Sequence, residues 1–320
     1  MARSRQRGFG TRIREAILLG LARAVFFFVR VIGPDTAANL GGWITRTFGP
    51  RLKPHRIAMT NLRAAYPDKA EPELQGIARG AWDCLGRTMM EYPHISRLMD
   101  YNHDDPVPDG RVEVSGVDYF ADLRDDGKPG IIFSAHLANW ELTAICGARH
   151  GLDVTAVFRP PNDPVSRRLV EEIRRETMGG LEASRRGAIF ALRKVLDDGG
   201  HVGMLIDQHF SRGLTVPFLD QPALTNPVLG MLARQYDCPV HGARAVRLPD
   251  HRFLLELTPP LDLPRDPDGR INVEGATAAM TAVVDSWVRE HPDQWLWMHR
   301  RWREPTAMAR SMGPMSTDVD

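Results

Sequence analysis

"GIIFSAHLANWE" (residues 130–141) is the stretch on which the reading of this chain turns. Its first six residues are a continuous apolar run of the kind found in a strand buried on both faces. The run delivers His136 at its carboxyl end, where open α/β sheets collect their ligands. Glu141 follows five positions later, about 500° around an ideal helix, so the two side chains share no face if both are helical. A histidine in the turn and a glutamate in the first helical turn, with Asn139 as a cap, brings them together. The carboxylate then holds one ring nitrogen while the other accepts a proton. The same letters also fit a capping turn with a satisfied histidine, and spacing leaves both readings open.

Outward from this stretch, short apolar runs alternate with amphipathic ones. Strands are expected at 111–115, 130–135, 153–158, 201–206, 239–246 and 252–258, and helices at 139–149, 164–178, 187–198, 226–236 and 275–290. Such alternation predicts an α/β fold with a central, mostly parallel sheet flanked by helices. Two further strands end on polar groups. "VTAVF" leads to Arg159, and "HVGMLI" leads to Asp207, Gln208 and His209. Several charged strand tips in one sheet point to a shared crevice. Upstream of the break "NHDDPVPDG" (102–110), residues 36–101 read as mostly helical.

The N-terminus is different in character. Residues 1–63 hold 12 Lys and Arg against Glu15 and Asp35, whereas the 320-residue chain as a whole has 41 basic and 40 acidic residues. Within this region "REAILLGLARAVFFFVRVIG" (14–33) is apolar but interrupted by Arg23 and Arg30. With Arg12 these lie within about 20° of one another on a helix, leaving a wide Leu/Phe/Val/Ile surface. No uninterrupted run approaches the ~20 residues of a bilayer span. The pattern fits a helix lying in a membrane interface, anchored by Phe26, Phe27 and Phe28; a core helix and a span with snorkelling arginines also fit. No small-residue cleavage site follows, and the flanking arginines favour the cytosolic face. Residues 1–60 are therefore expected to form a basic amphipathic anchoring region, 61–305 the α/β domain with a helical entry at 61–101, and 306–320 a tail without structure.

Other chemistries find less support. Cys84, Cys146 and Cys238 form no CxxC pair, which argues against a disulfide framework or zinc site and for a reducing compartment. H-E-x-x-H, G-x-S-x-G, the P-loop and G-x-G-x-x-G are all missing from the sequence. His136, Glu141, Asp207 and His209 have no diagnostic metal-ligand spacing, so no metal and no cofactor is expected. Ser134 shares the strand face of His136, but as a nucleophile it would need a carboxylate partner. "PDQWLWMHRRWR" (292–303) suits phosphates, a membrane interface, single-stranded nucleic acid or a tryptophan core with a solvated basic face. No recognised nucleic-acid motif accompanies it, and no nucleic-acid partner is expected.

Taken in order, "NLRAAYP" (61–67), "HLANWE" as H-x4-E, "FRPPNDP" (158–164), "DQHFSRGLTVPFLDQPALTN" (207–226) and "QWLWMHRRWR" resemble the lauroyl/myristoyl acyltransferases of bacterial lipid A synthesis, from about Asn61 to Arg303. The resemblance implies an enzyme on the cytoplasmic face of the inner membrane, monotopic or single-pass. It would move an acyl chain from a thioester, on acyl carrier protein or CoA, to a hydroxyl of a lipid or glycolipid. It makes His136 the general base and Glu141 its orienting acid, and it matches the family's downstream arginine to Arg174, with Arg175 as the competing alignment. Asp207 and Gln208 become substrate-binding candidates by the same carry-over, and Arg159 by its position. Where the family usually has D-Q-D this chain has Asp207-Gln208-His209, so His209 receives no role. Enzymes acylating phosphatidylinositol mannosides share much of the pattern, which leaves the acceptor open between a lipid A precursor, such a mannoside and a lysophospholipid. A lipid-binding homologue without turnover is the reading from another class.

Overall fold

The computed structural model describes residues 9–303 except 106, 108, 159, 161, 162 and 184–186; for 9–16, 164–166 and 169 only the backbone is described. The tail expected at 306–320 and the candidate Arg159 therefore lie outside the described residues. Helices come first: α1 (Phe9–Val31), α2 (Pro34–Phe48), α3 (Lys53–Ala65), α4 (Glu71–Glu91) and the single turn α5 (Ile95–Leu98). Pro34 opens α2 and Pro54 falls in the first turn of α3, where a missing N–H costs nothing. Helices α2 and α4 lie almost backbone to backbone, because Gly41 and Gly86 face each other. A Cβ on Gly41 would sit 2.3 Å from the Gly86 carbonyl oxygen, and the Thr45 hydroxyl donates across the contact to Trp82 O at 2.5 Å.

The α/β part follows as β1 (Val112–Ser115), α6 (Val117–Asp125), β2 (Gly130–Ser134), α7 (Glu141–Arg149), β3 (Val154–Phe158), α8 (Pro164–Thr177), β4 (Leu181–Ala183), α9 (Ala188–Asp197), β5 (His201–Leu205), β6 (Leu214–Phe218), β7 (Gln221–Thr225), α10 (Val228–Tyr236), β8 (Val240–Arg247), β9 (Phe253–Leu257) and α11 (Val273–Glu290). Seven strands form one sheet in the order β1-β9-β8-β2-β5-β3-β4. Every pairing is parallel except β8 with β9. All six expected strands and all five expected helices of this part are present, and the sheet is mostly parallel as the alternation predicts.

β2 is central, between β8 and β5, and its residues divide between two layers. Ile131 and Phe133 face α9, α10 and α11, with Phe133 stacked on Trp287 at 5.8 Å. Ile132 and Ser134 face the layer of α7, where Leu142 and Ile145 pack with Ala245, Phe253 and Leu255. Burial on both faces is the physical reason the run reads as continuously apolar.

At the other extreme, α1 and α2 expose a broad apolar surface. Phe27, Phe28 and Val31 are 68%, 73% and 68% exposed, and Leu40, Trp43, Phe48 and Leu52 continue the patch. Among the described residues no single helix is long and apolar enough to cross a membrane. Ile17–Val31 and Pro34–Arg51 reach that composition only as a pair bent by 118°.

Candidate active site

Strands β2 and β5 run parallel with Ser134 opposite Leu205. Two residues further on, the same register brings His136 and Asp207 side by side. The Asp207 carboxylate accepts the His136 backbone N–H at 2.9 Å and faces His136 Nδ1 at 2.8 Å. It also accepts the indole N–H of Trp295 at 2.8 Å. Burial pushes the Asp207 carboxyl up, but the His136 ring and its hydrogen bonds outweigh this and hold it well below the usual carboxylate range. A charged carboxylate can only accept, so the Nδ1 proton belongs to His136, and in the neutral ring the lone pair is on Nε2. That nitrogen faces the amide of Gln208, Nε2 to Nε2 at 3.3 Å, which fixes the amide with its NH₂ toward the ring.

The turn after β2 that presents this ring is held from outside. Ala138 adopts a left-handed conformation, φ 48°, to reverse the chain before α7. Its N–H donates to Gln294 O at 3.0 Å and its carbonyl accepts from the Thr88 hydroxyl at 3.1 Å. The C-terminal segment adds an antiparallel bridge, Leu137 to Trp295, and the Leu296 N–H donates to His136 O at 3.1 Å. The tryptophan-rich end is therefore a clamp on the turn that presents His136. Trp295 and Trp297 are fully buried and Arg300 and Arg303 are exposed, as in the reading of a tryptophan core with a solvated basic face, but Arg301 departs from it in being fully buried.

Glu141 stands apart from the histidine. As the first residue of α7 it points to α8, where Arg174 donates Nε to Oε2 at 3.0 Å and Nη2 to Oε1 at 2.5 Å. Tyr92 O–H and Trp140 Nε1 also donate to Oε1, the latter at 3.0 Å. Among the described residues no hydrogen bond joins Glu141 to His136; the expected orienting contact is made by Asp207 instead. The physical reason is the helix start, whose rotation carries position 141 away from the turn and toward α8. Burial pulls the Arg174 guanidinium down, but the Glu141 carboxylate dominates and raises it. Between the two alignments, Arg174 reaches this cluster whereas Arg175 is exposed.

Both clusters border a cavity of about 600 Å³ under the α7 face of the sheet, within the range of small-ligand sites. His136, Trp140, Glu141, Arg174 and Gln208 line its polar end. Inward it is walled by Ala144 and Gly147 of α7, Ala156 of β3, Gly203 of β5, Ala243 of β8 and Leu255 of β9. Small residues facing inward from α7, β3, β5 and β8 are what keep the space open. Ser134 lines it too, its buried hydroxyl without a hydrogen-bond partner among the described residues, where no carboxylate of the kind a serine nucleophile needs is in contact with it. Among the described residues no group of three or more His, Cys, Asp or Glu is arranged to hold a metal ion.

The sequence matches the family model for bacterial lipid A biosynthesis acyltransferases over residues 10–304. The chain belongs to this family. Among curated members, it is 23% identical to a lipid A biosynthesis acyltransferase of Haemophilus influenzae over 271 residues, 81% of this chain and 78% of that one. It is 25% identical to the lipid A biosynthesis lauroyltransferase of Escherichia coli K12 over 268 residues, 78% of each chain. A lipid A biosynthesis acyltransferase 2 of Shigella flexneri is 22% identical over 286 residues, 88% of this chain and 87% of that one. The protein is thus an acyltransferase of the lipid A type. Within the family's H-x4-E motif, its histidine and its acid belong to two different hydrogen-bonded clusters. Trp295, which completes the environment of Asp207, was not singled out from the others by sequence; its only signal was the density of tryptophan near the C-terminus.

Proposed function

We propose that this acyltransferase moves a fatty acyl chain from a thioester to a hydroxyl of a lipid A precursor, with His136 as general base. The observation that supports this most is the His136 ring. Asp207 holds its Nδ1–H, and Nε2 is left as an acceptor at the polar end of an apolar cavity. The acyl chain lies in the cavity and the acceptor hydroxyl takes the place of the Gln208 amide at Nε2. As the hydroxyl oxygen attacks the thioester carbonyl, its proton passes to Nε2, and Asp207 stabilises the imidazolium. The tetrahedral oxyanion then collapses. The C–S bond breaks, and the departing thiolate takes the proton back from Nε2. The displaced Gln208 NH₂ is within reach of the oxyanion as a donor. A thiolate leaves readily, so the sequence of steps closes with this chain's own residues and the two substrates.

Glu141 and Arg174 serve as a brace: they tie α7 to α8 across the polar end and set the width through which the acyl chain enters. The exposed apolar surface of α1 and α2, next to an N-terminal region rich in arginine, is proposed to rest in the cytosolic interface of the inner membrane and bring the cavity to its lipid acceptor.

The test is thiol release from an acyl thioester supplied to the purified full chain with and without lipid acceptor. Release should depend on the lipid, and His136→Ala should lower the rate by about 10²–10⁴-fold while the protein still unfolds cooperatively. Near-normal turnover by His136→Ala would sink the mechanism.

A further inference from the structure

Two segments bordering the catalytic pair, 209–212 and 299–302, hold a concentration of buried polar atoms without partners. Among the described residues they are Arg212 Nε, His299 Nε2, Arg301 Nε and Trp302 Nε1. Native proteins leave few such atoms, and a cluster of them asks for a bound group. Three of the four, the two arginine Nε–H groups and the indole N–H, can only donate. The segments are in contact: Leu224 O accepts both the Phe210 N–H at 3.1 Å and Arg301 Nη1 at 2.8 Å. Arg301 and Trp302 both lie against the Phe218 ring, at 5.1 and 5.9 Å.

The charge here is as one-sided as the hydrogen bonding. Arg301 is fully buried, yet among the described residues its hydrogen-bond partners are a carbonyl and the Thr225 hydroxyl, not a carboxylate. Burial pushes its guanidinium down to about 10, with Asp207 as the acid that partly offsets this. Among the described residues Arg212 and Arg303 form no ion pair either, and Arg303 is exposed. His209 faces this charge from the cavity wall; burial and then Arg303 and Arg301 push it down to about 4, so it stays neutral. The third position of the D-Q-D pattern, an acid in the resembled family, is here a histidine, and the arginines are left without a counter-charge.

We propose that Arg212, Trp302 and Arg303, with Arg301 behind them, bind a phosphate-type oxyanion carried by one of the two substrates. Donors without acceptors, cations without carboxylates and a position beside Asp207 and the cavity together select a compact multivalent anion. The link to a substrate rests on the acyl-transfer reading above; the anion site itself does not. Two sources share the chemistry: a phosphate ester on the acceptor lipid, or the one in the pantetheine arm of the donor.

Binding of inorganic pyrophosphate to the full chain in neutral detergent, followed calorimetrically at fixed ionic strength, tests the site without turnover. Wild type should bind saturably. The double variant Arg212→Gln/Arg303→Gln, at the less buried side of the site, and His209→Asp, which supplies the missing acid, should each weaken binding roughly tenfold or more. His136→Ala should bind as wild type does, even if acyl transfer proved not to be the reaction. No saturable binding, or equal binding by all variants, overturns the proposal. KM then separates the sources. A rise in the double variant only for phosphorylated against dephosphorylated acceptor assigns the acceptor. A rise only for a pantetheine-phosphate donor against a simple thioester assigns the donor. A KM unchanged for all four rejects the substrate role.

Discussion

The polar end of the cavity holds two buried carboxylates that sequence spacing would rank the wrong way round. Glu141, five residues from His136, is committed to Arg174, Tyr92 and Trp140. Asp207, 71 residues away, holds the ring. One acid sits at the tip of a strand and inherits the rigidity of a parallel sheet, in which neighbouring strand ends are in register. The other sits on the first turn of a helix and ties that helix to the next. Two residues of one short motif can thus belong to separate hydrogen-bonded clusters.

The largest expected effect is at Asp207. Asp207→Asn should lower the acyl-transfer rate by about 10²–10⁴-fold, because the amide no longer dictates the His136 tautomer. The fold should persist, at a cost of about 1–3 kcal/mol for one mismatched hydrogen bond. A variant with wild-type turnover would remove Asp207 from the mechanism. Glu141→Ala should show the opposite balance. Stripping the partner from a buried guanidinium costs about 3–5 kcal/mol of stability, read as a fall in the midpoint of denaturant unfolding. Arg174→Met together with Glu141→Leu should recover much of that stability, since no charge is then stranded. If Glu141→Ala unfolds like wild type, the brace is not structural.

A smaller effect sharpens the contrast through pH. The Asp207 carboxyl is held below its ordinary range in the fold. Its stabilisation is therefore complete above the unfolded-chain value of about 3.9 and lost only as pH falls through the lower folded value. The stability difference between wild type and Asp207→Asn should shrink as pH falls below about 4. A difference that does not shrink there would contradict a depressed carboxyl.

How legible was this in the sequence? The apolar run ending in His136 located the sheet and the site, because burial on both faces leaves a pattern a reader can see. Asp207 was visible as a strand tip, but its partnership depends on β2 and β5 being neighbours in register, which no local spacing encodes. The hairpin of β6 and β7 escaped for another reason. Pro217 and Pro222 argue against strands, yet they sit directly opposite each other. That is one pair beyond the hydrogen-bonded pair closing a two-residue turn, where neither N–H is required. The turn itself, Leu219–Asp220, has φ of 49° and 59° without the Asn-Gly that usually signals such a conformation. The brace was half legible: Arg174 was matched by resemblance, but the direction of the Glu141 side chain follows only from where α7 begins.

The most direct test is ¹⁵N-histidine NMR of His136, its resonances assigned by their loss in His136→Ala. Wild type and Glu141→Gln should both show a protonated Nδ1 and a bare Nε2 at pH 7.5, and Asp207→Asn should lose that tautomer. A tautomer that survives Asp207→Asn and disappears in Glu141→Gln would contradict the account.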